Sequence, residues 1–474
     1  MARKRPINAE VPANNSEQSP KAGSAAPPGQ QAKPALPLPQ TPKPEEPSAP
    51  KPESAAPDPP AKKRKRKPIP IALKAIAGLV FVALVFLVAA VLGGGGANEP
   101  DEKPAPAPIQ ATPEPAAEEK QTPTAAAAEE LGYPSFATNN TTRVGGSDAA
   151  TTAAGVALAV FPSAKVAQRP AAVTLVDEGD WQGAVAAAVL MSAPVRAPLL
   201  VSSGGELPDP TSQALDALDP QGSRASDKAR AFAIGDAAVP AGLRTTQVKG
   251  SDPAALAVAI EALRNELLGG APRHIVLAPE DAPEFATPAA AWAARSGDAV
   301  LYSGPDKLPK ETAGALSKDP KTPVYVLGPS STISSDVVRE VAKIGNPVRR
   351  VSGEDPVANS IALARYASGG FGWNVNDPGH GLVVARSDEP LAAAIAAPLS
   401  ASGTWGPLLL TDDGDTLPKA LREYLLDIKP GYTTDPTRAF YNHVWVIGDQ
   451  EAIDVNQQAE IDQLAELAKI GGGE

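Results

Sequence analysis

The 474-residue chain contains no cysteine, only three histidines and few aromatic residues, with 8 Phe, 7 Tyr and 5 Trp. The lack of cysteine excludes disulfides, thiolate metal sites and thiol catalysis. Three histidines are too few for a histidine-rich metal centre, and we expect neither a metal nor a cofactor. The formal net charge of −11 argues against a surface that binds nucleic acid over the whole chain.

Proline is abundant, at 53 residues, and the N-terminal part of the chain is especially rich in it. Residues 1–67 lack apolar periodicity and hold 13 Lys/Arg against 6 Asp/Glu. Such a segment cannot bury enough apolar surface to offset its conformational entropy, so we predict a disordered, Pro-rich basic tail. The tail ends in the basic run KKRKRK at 62–67. This run is typical either of a nuclear or nucleic-acid-binding signal or of the flank of a membrane span.

An uncharged run of 18 residues, 75–92, follows the basic run. As a helix it would span about 27 Å, close to the hydrocarbon thickness of a bilayer. We therefore predict a single transmembrane helix over 69–92. Because the basic residues precede it and acidic residues follow, the positive-inside rule places residues 1–67 in the cytoplasm and the rest outside. The Pro/Ala/Glu-rich stretch 93–135 predicts an extracytoplasmic linker.

From about residue 142 the pattern changes to short β-branched runs that alternate with Ala-rich helical stretches, and it repeats three times. Each copy opens with a short strand that leads into a Gly–acid turn and then a helix. The turn residues, which we expect to have a structural role, are Gly146 and Asp148, Gly250 and Asp252, and Gly353 and Asp355. Successive aspartates lie 104 and 103 residues apart. The regular spacing indicates three tandem units of similar size.

Each copy continues with a buried-looking strand, an acidic turn, a second Ala-rich helix, a third strand, a Leu-Pro pair before a third helix, and a closing strand that ends in Gly. Short apolar strands that alternate with helices are typical of a parallel sheet covered on both faces. The sequence therefore predicts the α/β class, with three tandem modules of mainly parallel sheets flanked by helices. Their predicted bounds are 136–240, 241–346 and 347–470.

Candidate ligand-binding residues follow from the rule that ligands of α/β sheets lie beyond the carboxyl ends of the strands. The acidic turns after the second strands lie there, and they contain Asp180, Asp281 and Asp388. These carboxylates are suited to sugar hydroxyls or a cation, and Trp181 to stacking on a sugar ring. The alternative is that the aspartates cap the helices that begin beside them, because an aspartate at a helix N-terminus satisfies free N–H groups.

Because acidic residues outnumber basic ones in the repeats, binding of a polyanion would require a local basic patch. Residues 136–474 hold 27 Lys/Arg and 40 Asp/Glu. The candidate patch residues are Arg349 and Arg350, with Lys343 and Arg339 nearby in sequence. The alternative is that these residues form an ordinary solvated face of a helix and loop. A third possibility for a polyanion is a bridging divalent cation.

The repeated motifs resemble the cell wall binding repeat 2 family. In the first copy Arg143, Gly146, Asp148 and Thr152 match the family's opening motif, and the stretches 180–186 and 197–200 match its acidic turn and third strand. The similarity covers roughly 142–460. It implies three modules in a pseudo-threefold arrangement. It also implies non-covalent attachment to anionic cell-wall polymers of Gram-positive bacteria.

No P-loop, dinucleotide-binding glycine motif or Gly-x-Ser-x-Gly elbow occurs in the sequence, so we expect no catalytic residue and no enzyme activity. The expected function is multivalent attachment to a cell envelope polymer, with an anionic glycopolymer suspected, by a protein anchored in the membrane through one helix. The alternative is a membrane scaffold whose repeats bind another protein or self-associate. Crosslinking to a protein partner, or pull-down with purified walls, would discriminate between them.

Overall fold

The structure is a computed structural model that describes residues 136–470. The predicted tail at 1–67, the predicted membrane helix at 69–92 and the predicted linker at 93–135 lie outside the described residues. Within 136–470, none of the helices combines the length and the apolar character that a membrane crossing requires. What the structure describes is therefore the part of the chain that contains the three repeats, called here copies one, two and three.

Helices and strands alternate along the described chain, as the hydrophobic pattern predicts. The elements around copy one are β1 (Phe136–Ala137), β2 (Thr141–Val144), α1 (Ala149–Val160), β3 (Val173–Asp177), α2 (Trp181–Ala187), β4 (Leu199–Ser202), α3 (Asp209–Leu218) and β5 (Ala231–Ile234). Those around copy two are β6 (Thr245–Val248), α4 (Pro253–Leu268), β7 (Ile275–Pro279), α5 (Pro283–Ala286), α6 (Pro288–Ser296), β8 (Ala299–Ser303), α7 (Lys310–Lys318), β9 (Val324–Leu327) and α8 (Ser335–Ile344). Those around copy three are β10 (Val348–Val351), α9 (Pro356–Arg365), β11 (Gly381–Arg386), α10 (Pro390–Ile395), α11 (Ala397–Ala401), β12 (Leu408–Thr411), α12 (Lys419–Asp427), β13 (Gly431–Tyr432), β14 (His443–Ile447), α13 (Val455–Ala465) and β15 (Ala468–Lys469).

Three parallel sheets carry the fold, and their strand orders are β4-β3-β5-β6, β8-β7-β9-β10 and β12-β11-β14-β2. The inner strands are continuous apolar runs because both faces are covered by helices. Strand β1 adds to the third sheet as an antiparallel edge. The prediction of a mixed α/β fold with several parallel sheets flanked by helices is confirmed.

The strand that opens each copy pairs with the sheet of the preceding copy. Strand β6 lies beside β5, β10 lies beside β9, and β2 lies beside β14 near the C-terminal end. The helix after each opening strand returns to its own copy, where α1 packs on β4, α4 on β8 and α9 on β12. Copy two therefore adds its opening strand to the sheet of copy one, and copy three adds its opening strand to the sheet of copy two. Copy one adds its opening strand to the sheet of copy three.

The second helices of the three copies pack against one another. Helix α6 contacts α11 and the short turn of 3₁₀-helix at 188–191 that extends α2, and α10 contacts α2. Their facing residues are mostly alanines with no exposed surface, including Ala184, Ala290 and Ala394. Small side chains allow close approach of the helix backbones, which explains why these segments are so rich in alanine.

Arg143 secures the junction between copies three and one. Its side chain is 1% exposed and its guanidinium donates to the carbonyls of Gly448, Asp449 and Ile453, the last at 2.6 Å. The Nε–H also donates to the side-chain carbonyl of Gln458 at 3.0 Å. Burial lowers the pKa of Arg143 to about 10, so the group is still charged at neutral pH. A charged donor fixed on four acceptors holds β2 onto the loop that follows β14.

Candidate functional site

The three opening aspartates occupy equivalent positions, each as the N-cap of the helix that follows. Asp148 accepts the backbone N–H of Thr151 at 2.8 Å, Asp252 accepts that of Ala255 at 2.8 Å, and Asp355 accepts that of Ala358 at 2.7 Å. All three have extended backbone, as N-cap residues do. Helix capping is thus a structural role that the three aspartates share, and Asp148 also accepts the Thr151 hydroxyl at 2.7 Å.

The glycines two residues earlier lie where the opening loop passes close to the following helix. A Cβ on Gly250 would lie 2.2 Å from the backbone nitrogen of Leu256, and one on Gly353 would lie 2.2 Å from the carbonyl carbon of Ala358. In copy one the Thr152 hydroxyl accepts the Gly146 N–H at 3.3 Å. The need for glycine at Gly250 and Gly353 is therefore steric.

The acidic turns after the second strands align by their hydrogen bonds to the neighbouring strand. The residues whose N–H groups donate to the end of that strand are Glu178, Glu280 and Ser387. The residues one position later are Gly179, Asp281 and Asp388, and those two positions later are Asp180, Ala282 and Glu389. Asp281 and Asp388 are thus equivalent to each other but not to Asp180. The three candidates do not form one carboxylate site repeated three times.

Asp180 and Asp388 also differ in their partners. Asp180 caps α2 by accepting the Gly183 N–H at 2.7 Å. Burial raises the pKa of Asp180, and the carboxylates of Asp177 and Asp236 add to the rise, although the Gly183 N–H opposes it. Asp388 instead receives two hydrogen bonds from Arg386, at 2.9 and 2.8 Å, and that guanidinium lowers its pKa. Asp281 is exposed.

A cleft at these strand ends lies between copies one and three and has a volume of about 510 Å³. Its wall carries the indole of Trp181 and a set of carboxyl side chains. The acidic residues that line it are Asp148, Glu178, Glu389, Asp449 and Glu451. We call it the acidic cleft. Its concentration of negative charge favours hydroxyl or amine donors over phosphate or carboxylate groups.

Trp181 is half-buried in the acidic cleft and packs edge-on against Tyr302 of copy two, with ring centroids 6.1 Å apart and an interplanar angle of 83°. The Tyr302 hydroxyl donates to the Gln182 carbonyl at 2.7 Å. These contacts fix the orientation of the indole while part of it faces the cleft. A ring held in this way is suited to stacking against the face of a sugar.

The two arginines predicted for a basic patch do not face the acidic cleft. Arg350 is half-buried, and its guanidinium donates to the carbonyls of Gly328, Pro329 and Ile333 at 2.6, 3.0 and 2.6 Å. It thus repeats the role of Arg143 at the junction of copies two and three. Arg349 is exposed and its guanidinium contacts the Ser368 hydroxyl.

Two acidic-cleft residues, Asp449 and Glu451, were not anticipated from the sequence. They follow the closing strand β14, so the rule about carboxyl ends of strands applies to them as well. Asp449 accepts the N–H groups of Glu451 and Ala452 at 2.9 and 3.0 Å, which fixes this loop. Within 136–470 no three His, Asp or Glu side chains are grouped in a way that would hold a metal ion.

The fold is similar to that of two solved structures from Clostridium difficile. Cwp6 matches with a TM-score of 0.53 and 18% sequence identity, over 69% of this chain and 47% of that one. Cwp8 matches with a TM-score of 0.53 and 20% identity, over 69% of this chain and 52% of that one. The match therefore spans about half the length of each of these structures. No family model matches the chain, and no curated protein matches its sequence.

Proposed function

We propose that this protein attaches the membrane to the cell wall through its three α/β copies, without catalysis. The observation that carries the proposal is the fold itself, because it resembles the folds of Cwp6 and Cwp8, which are cell wall proteins. The threefold exchange of strands supports it, since one rigid body then presents three junctions to a repetitive polymer. Several contacts made by one body bind a polymer tightly together even when each contact alone is weak.

The acidic cleft is the place where we propose that a sugar unit of the wall binds. Its carboxylates accept hydrogen bonds from sugar hydroxyls, and Trp181 offers an aromatic face beside them. Like-charge repulsion would keep the anionic groups of a polymer out of this cleft. The proposed contact is therefore with uncharged parts of the polymer.

Membrane anchoring and the outward orientation of the copies are part of the same proposal. They rest on the uncharged run at 75–92 and on the basic residues that precede it. The rival function is a membrane scaffold whose copies bind a protein. The shared fold with two cell wall proteins favours wall attachment.

Sedimentation of the full-length chain, in detergent, with purified Gram-positive cell walls tests the proposal. The protein should sediment with the walls, soluble wall polymer should release it, and no saccharide fragments should appear in the supernatant. Trp181→Ala should weaken sedimentation severalfold, whereas Phe440→Ala, which removes an aromatic ring that is 72% exposed outside the acidic cleft, should not. Absence of sedimentation, together with crosslinking to a protein partner, would favour the scaffold instead.

A further inference from the structure

A second cleft lies between copies two and three, at the opposite edge of the sheets, and has a volume of about 310 Å³. Arg273 and His274 directly precede β7, and Asp298 directly precedes β8, so this cleft is at the amino ends of the strands. The other side is formed by Trp373 and Trp405 of copy three. We call it the arginine cleft.

Trp373 lines this cleft, and its indole N–H is an unpaired donor. Trp373 is 4% exposed, and its Nε1 has no hydrogen-bond partner among the residues that the structure describes. The neighbouring Trp292 shows the usual arrangement, since its Nε1–H donates to Asp298 at 2.9 Å. A buried donor without an acceptor is unfavourable because it has lost its hydrogen bond to water, so most buried donors are paired. An acceptor that a ligand brings to the cleft could pair this donor.

The charged side chains of the arginine cleft are predominantly cationic. Arg273 and Arg295 are exposed, and the Arg295 guanidinium lies 4.5 Å from the ring centroid of Trp405, which positions it. The one carboxylate, Asp298, is 2% exposed and accepts from the His274 ring at 3.0 Å. The other ring nitrogen of His274 faces the Gly369 carbonyl at 3.1 Å. Because both partners can accept, they favour the protonated form of the ring, whose charge offsets that of Asp298.

Two arginines and one tryptophan with an unpaired indole N–H thus line the same cleft, within a body that is acidic overall. Guanidinium is the side chain best suited to the planar, paired oxygens of carboxylate and phosphate. A volume of about 310 Å³ lies at the lower end of the 300–1,000 Å³ range of small-ligand pockets, so the space exceeds that needed for a bare ion.

We infer that the arginine cleft binds an oxyanion carried by a sugar, with Arg273 and Arg295 on the anionic oxygens and the Trp373 N–H donating to a further oxygen. The inference deepens the proposed wall attachment, and it rests on that function only for the source of the ligand. Together the two clefts would divide the polymer, with hydroxyl-rich units in the acidic cleft and charged units in the arginine cleft.

The direct test is an NMR titration of the full-length chain labelled with ¹⁵N at tryptophan. The titrants are glucose 1-phosphate, inorganic phosphate and glucose. The five tryptophans give five indole N–H signals, and the Trp373→Phe variant assigns one of them. We expect glucose 1-phosphate to shift the Trp373 signal at lower concentration than inorganic phosphate, and glucose to leave it unchanged. An unmoved Trp373 signal, or an equal response to glucose, would overturn the inference. If inorganic phosphate bound with the same affinity as glucose 1-phosphate, the part of the inference that requires a sugar would be overturned.

A charge-matched pair of double variants tests the arginines. Arg273→Gln with Arg295→Gln should weaken binding of glucose 1-phosphate at least tenfold. Arg244→Gln with Arg224→Gln removes the same charge at exposed positions outside the cleft and should leave binding unchanged. Equal losses of affinity for glucose 1-phosphate in both double variants would show that binding depends only on net charge. That result would overturn the inference.

Wall sedimentation of the same variants separates this inference from the proposed function. If the wild-type chain sediments and the Arg273/Arg295 variant sediments equally well, the arginine cleft is not the wall contact, although the proposed function stands. If the wild-type chain fails to sediment while glucose 1-phosphate still shifts the Trp373 signal, the proposed function fails and the oxyanion site stands.

Discussion

Replacing Arg143 by glutamine should destabilise the described body strongly, because this side chain secures β2 of copy one to the sheet of copy three. Four acceptors face its guanidinium, and a hydrogen bond to a charged group contributes about 1.5–3 kcal/mol. A glutamine amide reaches at most one or two of them, and the others would stay buried without a donor. Since such terms are not additive, we expect a loss of about 3–5 kcal/mol, as for other buried charges that lose a partner.

Two positions in the same motif provide matched controls. Arg350 has the equivalent place at the next junction but is half-buried, so water can replace part of its contacts, and Arg350→Gln should cost about 1–2 kcal/mol. Gln247 stands at the equivalent position of copy two and is exposed, so Gln247→Ala should change stability by less than about 0.5 kcal/mol.

Urea unfolding of the full-length chain, followed by tryptophan fluorescence and far-UV circular dichroism, measures these differences. Trp445 on β14 pairs in register with Thr142 on β2, so fluorescence reports on this junction. The role of Arg143 in holding β2 at the junction would be refuted if Arg143→Gln lowered the free energy of unfolding by less than about 1 kcal/mol. A decrease no larger than that of Gln247→Ala would refute it as well.

Three further predictions follow from the copies and their junctions. Asp148→Ala and Asp355→Ala should each lower the free energy of unfolding by about 1 kcal/mol in urea, because each removes a helix cap, and an unchanged free energy of unfolding in either variant would contradict the capping role. The hydrogen bond to Asp298 raises the pKa of His274 above 6.5, so its stabilisation is complete below that pH and is lost as pH rises through the folded-state pKa. Thermal melts from pH 5 to 9 should show this decline, and His274→Gln should flatten it. Gly353→Ala should cost about 1–3 kcal/mol by thermal or urea unfolding, because its Cβ would overlap the start of α9, and an unchanged midpoint would contradict the steric argument.

The alternation of strands and helices could be predicted because short apolar runs and the helical period of 3.6 residues are local properties of the chain. The pairing of the opening strands could not. Strand β6 is separated from β5 by ten residues and joins its sheet, whereas the internal repeat places β6 at the start of copy two. An apolar run shows that a strand is buried but carries no information on which neighbour it pairs with. The return of β2 to β14, about 300 residues later, is beyond any local signal.

The candidate site divides in the same way between local and non-local information. A Gly–Asp pair before an Ala-rich helix predicts a cap from local geometry, and Asp148 is one. The sequence groups Asp180 with Asp388 because both lie in an acidic turn after a strand. Their spacing does not show that Asp180 accepts a helix N–H whereas Asp388 contacts an arginine. The arginine cleft has no sequence motif, since Arg295 and Trp373 come from different copies and line one cleft only because α6 and the loop before β11 share a junction. Patches for polyanions in acidic proteins of this architecture should therefore be sought at the junctions between copies, where one side chain from each copy suffices, rather than in runs of arginine along the sequence.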